Sequence, residues 1–260
     1  MINLTEKILA NSSAVRSLIH SSVRSSVSDI NPDLDSVYPY KTNIVEWLNP
    51  IVDLSEFYIY PTNGITEGLN WWMAHETRSI RMAVGDYQWV NPTNGKGEIL
   101  YMSSPSSIDG NWRDIPTHIP VALDLAYVGS TKIKKLNIPS NVEYVFYSLS
   151  KPFGVRNVRT GWIFKRKRDL KLDALTYNAK YYNYYASQVS ETIIKNFDID
   201  YVYIAYQAQQ IQACNWLNIM PSDSVWIATS IDPIYEQFRR NSHNARLCLT
   251  GVYDEETTIA

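Results

Sequence analysis

The sequence predicts an α/β domain, on three observations. Short runs of β-branched and aromatic residues, bounded by Pro, Gly, Asn or Ser, recur along the chain and read as strands. Several of these runs end in a Gly turn, a carboxylate or a lysine, and strand ends in open α/β sheets are where ligands bind. The length of 260 residues, with 45% hydrophobic and 13% aromatic residues, suffices for one large α/β domain, or one domain with a small appendage, around a real core.

Residues 1 to about 36 are rich in Ser and carry Leu4, Ile8, Leu9, Val15, Leu18, Ile19 and Val23 in helical rhythm, which predicts an N-terminal arm. Tyr38-Pro39-Tyr40 leads into a short amphipathic helix from Asn43 to Val52. Phe57 to Tyr60 is a strand, and Pro61-Thr62-Asn63-Gly64-Ile65-Thr66 turns it into a helix. Backbone N–H groups left unpaired at such a helix start form an anion site. Ile80 to Val84 is the next strand, ending in Gly85-Asp86-Tyr87-Gln88-Trp89, and Asn91 to Glu98 is a loop. Ile99 to Met102 is a strand leading into the turn Ser103 to Gly110. The apolar block beginning at Ile119 reaches Asp124, a carboxylate that either caps a turn or faces a bound group. Val142 to Tyr147 is a buried strand, and Trp162-Ile163-Phe164 is another. Lys165 to Arg168, a basic cluster read as a solvated face, opens a helix pattern that runs on through Tyr185. The tyrosines between 177 and 206 are expected to pack on the sheet and on a second subunit. Tyr201 to Leu217 is helical, and Pro221 precedes a strand at Val225 to Ile227.

The chemistry concentrates between Ser148 and Trp162. Lys151 follows a strand end, with a hydroxyl three residues before it and Arg159 eight after it. A lysine amine held there can form a Schiff base with an aldehyde, and a fixed guanidinium with a nearby hydroxyl can hold a phosphate dianion. Pyridoxal 5'-phosphate carries both groups.

Ser148, Lys151, Arg159 and Gly161 stand in ungapped register with Ser-x-x-Lys, Arg eight residues on, then Gly. The segment resembles the fold-type I, aspartate-aminotransferase-like family of pyridoxal-phosphate enzymes. That resemblance implies a three-layer α/β/α fold with a mainly parallel sheet, dimeric, with cofactor sites at the subunit interface. It implies that Gly64, Ile65 and Thr66 form the phosphate turn and that Tyr87, or second Trp89, stacks on the pyridine ring. Asp124 and Tyr127 match the family's Asp-x-Ala-Tyr, the acid for the pyridine nitrogen and the phenol for the ring oxygen. Ser107 stands where the family has an asparagine, a shorter donor for the same oxygen. Tyr38 or Tyr40 is the candidate for reaching the neighbouring subunit's phosphate. Arg246, in Asn244 to Gly251, resembles the arginine that grips the substrate α-carboxylate. The implied organisation is an arm at 1–36, a cofactor-binding large domain at 37–220 and a reduced C-terminal segment at 221–260, shorter than the family's small domain.

A net charge of -2 gives no reason to expect nucleic acid or an anionic membrane as partner. The start lacks a signal-peptide pattern, no run of 18 apolar residues is present, and Cys214 and Cys248 are widely spaced. These features predict a cytoplasmic protein with reduced thiols. The motifs for dinucleotides, nucleoside triphosphates and zinc are absent, and His20, His75, His118 and His243 lack metal-ligand spacing. The expected function is a pyridoxal-phosphate aminotransferase acting on an amino acid and a keto acid. The alternatives are a lyase of the same fold or an inactive regulatory relative.

Overall fold

The structure is a computed structural model that describes residues 13–27, 40–93, 95–240 and 242–256. The elements in chain order are α1 (Ser13–Val27), α2 (Tyr40–Leu48), β1 (Tyr58–Thr62), α3 (Ile65–His75), β2 (Ile80–Met82), β3 (Ile99–Ser103), β4 (Val121–Asp124), β5 (Val142–Tyr147), β6 (Gly161–Lys165) and α4 (Leu170–Asp173). After α4 the chain forms a π turn at Ala174–Asn178, then α5 (Tyr184–Asn196), α6 (Tyr201–Leu217), β7 (Met220–Pro221), β8 (Ile227–Ser230), a 3-10 turn at Pro233–Phe238, β9 (Ala245–Cys248) and α7 (Thr250–Glu256).

The main sheet has the order β1-β6-β5-β4-β3-β2. β2, β3, β4 and β5 are parallel neighbours, and β6 alone runs against them, with β1 antiparallel to β6 in turn. Strand side chains alternate between faces, and here the alternation feeds two separate cores. Val121 and Leu123 of β4, Val145 and Tyr147 of β5, and Trp162 and Phe164 of β6 pack with α2, α5 and α6. Ala122, Phe146 and Ile163, their neighbours along the same strands, pack with Leu69 and Trp72 of α3. Helices therefore cover both faces, as an all-buried strand such as Val121–Asp124 requires. The mainly parallel, three-layer prediction holds.

Topology decides where the loops gather. The C-terminal ends of β2, β3, β4 and β5 share one end of the sheet. Because β6 runs the other way its first residue lies there too, with Tyr147 paired to Trp162 and Thr62 to Gly161. A second, antiparallel sheet of β7, β8 and β9 follows α6.

One predicted element is absent. The stretch from Lys165 to Tyr185 is not a single helix, because β6 extends to Lys165 and the Asp169 side chain accepts from the N–H groups of Lys171 and Leu172, starting a new short helix. Tyr60 locks that turn, its hydroxyl donating to Asp173 and accepting from the Asp169 N–H, both at 3.0 Å. Part of the basic cluster is structural rather than solvated: Arg166 donates to the carbonyl of Val142 and pairs with Glu56. Among the described residues no helix is long and apolar enough to cross a membrane, and no metal-ligating cluster is found.

Candidate active site

The lysine sits on a short clamped loop. The Ser150 N–H donates to Ser148 Oγ at 3.0 Å, and that hydroxyl donates to the Thr160 carbonyl at 2.7 Å, tying the exit of β5 to the entry of β6. Lys151 is thereby held beside Tyr127, its Nζ 5.9 Å from the ring centroid. Burial lowers the Lys151 amine to about 8, with the Arg246 cation the next cause.

Gly64, Arg159 and Gly161 form one cradle. Gly64 precedes α3 with φ 80 and ψ 170, a conformation essentially restricted to glycine. A Cβ there would lie 2.7 Å from Arg159 Nη2 and 3.0 Å from its Cζ. Gly161 is equally constrained, since a Cβ on it would meet the Gly64 backbone at 2.8 Å. Arg159 itself has φ 59, and its Nη2 donates to the Asn63 carbonyl at 2.9 Å, so the guanidinium lies across the mouth of the turn. Ile65 and Thr66, the first residues of α3, whose N–H groups have no partner within the helix, line the same cavity.

The carboxylates come from the opposite side. Asp124 is 3% exposed, and its side chain accepts from Tyr101 Oη and from the Ala126 N–H, each at 2.7 Å. Burial pushes its carboxyl up to about 7 despite those two donors, and the nearby Asp86 adds to the rise. Asp86 is buried too, accepting from Ser103 Oγ at 2.7 Å, Ser107 Oγ at 2.6 Å and the Tyr87 N–H at 2.8 Å. The Ser107 hydroxyl thus donates to Asp86 at the cavity edge. The preceding turn holds a cis peptide bond between Ser104 and Pro105.

Arg246 on β9 is 5% exposed and its Nη2 donates to Tyr127 Oη at 2.7 Å. It is not among the residues bordering the site cavity, whose wall carries Arg156 and Arg240. Sequence reasoning missed those two, and also Tyr101, Asp86 and Ser150. Tyr101 and Asp86 read as a strand residue and a turn residue, and only the folded chain brings them to Asp124.

Lys151, Asp124, Tyr127, Ser148, Arg159, Ile65, Thr66, Tyr87 and Ser107 all border one cavity of about 320 Å³. Of the two stacking candidates Tyr87 is on its wall, while Trp89 is 51% exposed and donates to Asn70 on the outer surface. Tyr38 lies outside the described residues, and Tyr40 is the first residue of α2.

No protein-family model matches the sequence, and no curated protein matches it. Solved structures do. The L-threonine-O-3-phosphate decarboxylase from Porphyromonas gingivalis aligns with TM-score 0.64 and 14% identity over 100% of this chain and 99% of its own. Histidinol-phosphate aminotransferase from Sinorhizobium meliloti, in complex with pyridoxal-5'-phosphate, aligns with TM-score 0.66 and 12% identity over 100% and 91%. The pyridoxal-phosphate-bound C-S lyase from Staphylococcus hominis aligns with TM-score 0.69 and 9% identity over 100% and 90%. The chain has the fold of the fold-type I pyridoxal-phosphate enzymes.

Within this fold-type I scaffold the residues fit the group that the scaffold implies. A phosphate needs convergent donors, and Gly64 leaves open the approach that any side chain would block beside Arg159. An aldehyde needs an amine that is not fully protonated near neutral pH, and Lys151 is held near 8. A pyridine nitrogen needs a buried acid, and Asp124 provides one.

Proposed function

We propose that the chain is a pyridoxal-phosphate-dependent aminotransferase that moves the amino group of an amino acid to a keto acid. The observation that carries this reading is the opening of Lys151, Asp124 and the Gly64–Arg159 cradle on a single cavity. When bound, pyridoxal phosphate supplies an electron-withdrawing ring that acidifies the substrate's α-carbon.

The chain's own residues do the rest. Arg159 and the N–H groups of Ile65 and Thr66 would hold the phosphate, with Ser148 fixing the loop beside it. Lys151 Nζ would hold the aldehyde carbon and, once displaced by the substrate amine, move the proton between the α-carbon and that carbon. An amine near 8 is well matched to such proton transfer. Asp124 would keep a proton on the ring nitrogen, Tyr101 orienting its carboxylate. Tyr87 would stack on the ring, and Tyr127 would bond the ring oxygen while Arg246 fixes its hydroxyl. We assign Arg246 the substrate α-carboxylate on the resemblance of its strand to the family's arginine, its guanidinium lying beside the Tyr127 ring that Lys151 also faces.

The reading includes a homodimer, with Tyr38 or Tyr40 completing the neighbouring phosphate site. It also includes a cofactor domain at 37–220, a reduced C-terminal segment at 221–260 and a cytoplasmic location, the last supported by the unbridged Cys214 and Cys248. A lyase is the second reading, favoured by the C-S lyase and decarboxylase among the structural neighbours. The purified protein loaded with cofactor is expected to absorb near the visible edge, and Lys151→Ala to lose that band. Transfer of the amino group to an added keto acid identifies the aminotransferase, and release of carbon dioxide, or of sulfide with free ammonia, identifies the lyase.

A further inference from the structure

Asp86 is a buried carboxylate that the proposed reaction leaves unused. It is 2% exposed and one hydrogen bond away from three residues that border the cavity, accepting from Ser103 Oγ at 2.7 Å, Ser107 Oγ at 2.6 Å and the Tyr87 N–H at 2.8 Å. The Ser103 N–H adds a longer bond at 3.3 Å. Each of these partners donates, an arrangement that suits an ionised carboxylate, which only accepts.

The charge is more than the turn requires. Ser103 Oγ, Ser107 Oγ and the Tyr87 N–H all donate to one oxygen, Oδ1, so the amide of an asparagine would tie the turn after β2 to the turn after β3 as well. A buried charge carries a desolvation cost that a neutral amide largely avoids. What the amide lacks is electrostatic reach to Asp124. Ser103, whose hydroxyl and N–H both bind Asp86, is the residue in register with Asp124 on the neighbouring parallel strand. The Asp124 carboxyl, raised to about 7 chiefly by burial and lowered by its bonds from Tyr101 and Ala126, is raised further by Asp86. Tyr101, raised by burial and by Asp124, is raised by Asp86 as well. Among the cations, Arg240 faces Asp86, which acts on its guanidinium against burial and Arg246.

We propose that Asp86 is a positioning residue of this site: its charge, acting through Asp124, keeps a proton on Asp124 in the cofactor-free protein and on the ring nitrogen once pyridoxal phosphate is bound. The second half rests on the cofactor reading of the cavity. Loss of the proton that Asp124 and the ring nitrogen share leaves one more negative charge near Asp86, and like-charge repulsion opposes that loss.

The test is Asp86→Asn, which keeps the Oδ1 acceptor and removes the charge, read by two titrations of the full-length protein. In the cofactor-free protein the carboxyl carbon of Asp124 is followed by NMR against pH. In the loaded protein the isotopically labelled ring nitrogen of pyridoxal phosphate is followed in the same way. Both midpoints are expected to fall by on the order of one pH unit, the Coulomb interaction of two charges about 10 Å apart at an effective dielectric of about 20. Loss of the hydrogen-bonded turn alone would not move them in this concerted way. An Asp124 midpoint unchanged in Asp86→Asn overturns the proposal, and so does a ring nitrogen that titrates as in the wild type. If the wild type takes up no pyridoxal phosphate, the cofactor reading fails, and a lowered Asp124 midpoint still supports the link between the two acids. Should Asp86→Asn not fold, the wild type decides: the Asp86 carboxyl carbon must report an ionised group throughout the range in which Asp124 holds its proton, and a protonated Asp86 there refutes the proposal.

Discussion

Gly64→Ala separates what the cradle does for stability from what it does for binding. The backbone at φ 80 and ψ 170 costs a non-glycine residue about 1–3 kcal/mol. For a chain of this size that is a fall in Tm of about 2–12 °C. The new methyl would also lie 2.7 Å from Arg159 Nη2. A guanidinium is the far end of a flexible side chain and can swing away, so the clash adds little to the stability loss. Swinging away breaks the 2.9 Å bond to Asn63 and removes the guanidinium from the turn. A charged hydrogen bond of about 1.5–3 kcal/mol is then lost from any bound phosphate, a factor of roughly 10–150 in affinity. The assay is binding of pyridoxal phosphate beside pyridoxal, which lacks the phosphate, with a thermal melt of each variant. Gly64→Ala should weaken the first ligand and leave the second nearly unchanged. In combination with Arg159→Ala the affinity losses should not add. Equal loss for both ligands, or fully additive affinities, would refute the idea that Gly64 acts through Arg159.

Three further outcomes are expected. Because burial raises the Asp124 carboxyl from 3.8 to about 7, the folded cofactor-free protein keeps a proton that the unfolded chain releases. This stability, on the order of 4 kcal/mol, is complete below pH about 4 and lost as pH rises through about 7. Urea midpoints across that range should slope downward in the wild type and flatten in Asp124→Asn. Cofactor capture should accelerate as the Lys151 amine deprotonates, with a midpoint near pH 8, and Arg246→Leu should move that midpoint upward by removing a neighbouring cation. Gln210→Leu should cost about 1–3 kcal/mol in chemical denaturation with cofactor affinity intact. Its buried Nε2 donates to the carbonyls of Ser222, Ser224 and Ile227 at 2.9–3.0 Å, pinning α6 to the turn before β8.

What the sequence reveals is what depends on neighbours along the chain. The strands from Phe57 to Phe164 lie where β-branched and aromatic runs predict them, and α6 has the predicted span of Tyr201–Leu217. Gly64, Asp124, Lys151 and Arg159 are legible because each follows or precedes a strand whose end is itself legible. The misread region, Lys165 to Tyr185, fails for a local reason of another kind: Asp169 has the choice of riding in a helix or capping one, and Tyr60, more than a hundred residues away, decides it. Tyr101 looks like any core strand residue until β3 and β4 pair in register and bring its hydroxyl to Asp124. Arg156 and Arg240 carry no motif at all, so their shared cavity could only be found in three dimensions.

The strand order explains why the site has a direction. Gly64 and Arg159 flank β1 and β6, Lys151 follows β5, Asp124 ends β4 and Asp86 follows β2, so across the sheet the donors, the amine and the acids come in that sequence. Neighbouring strands lie about 4.8 Å apart, which puts the Gly64–Arg159 cradle and Asp124 on the order of 10 Å from each other. That is the scale of one substituted aromatic ring with a phosphate arm. A ring turned end for end would set its dianion against Asp124 and Asp86 and its basic nitrogen against Arg159, unfavourable at both ends. The single antiparallel strand makes this possible, since a parallel β6 would carry Arg159 and Gly161 to the far end of the sheet, away from Lys151.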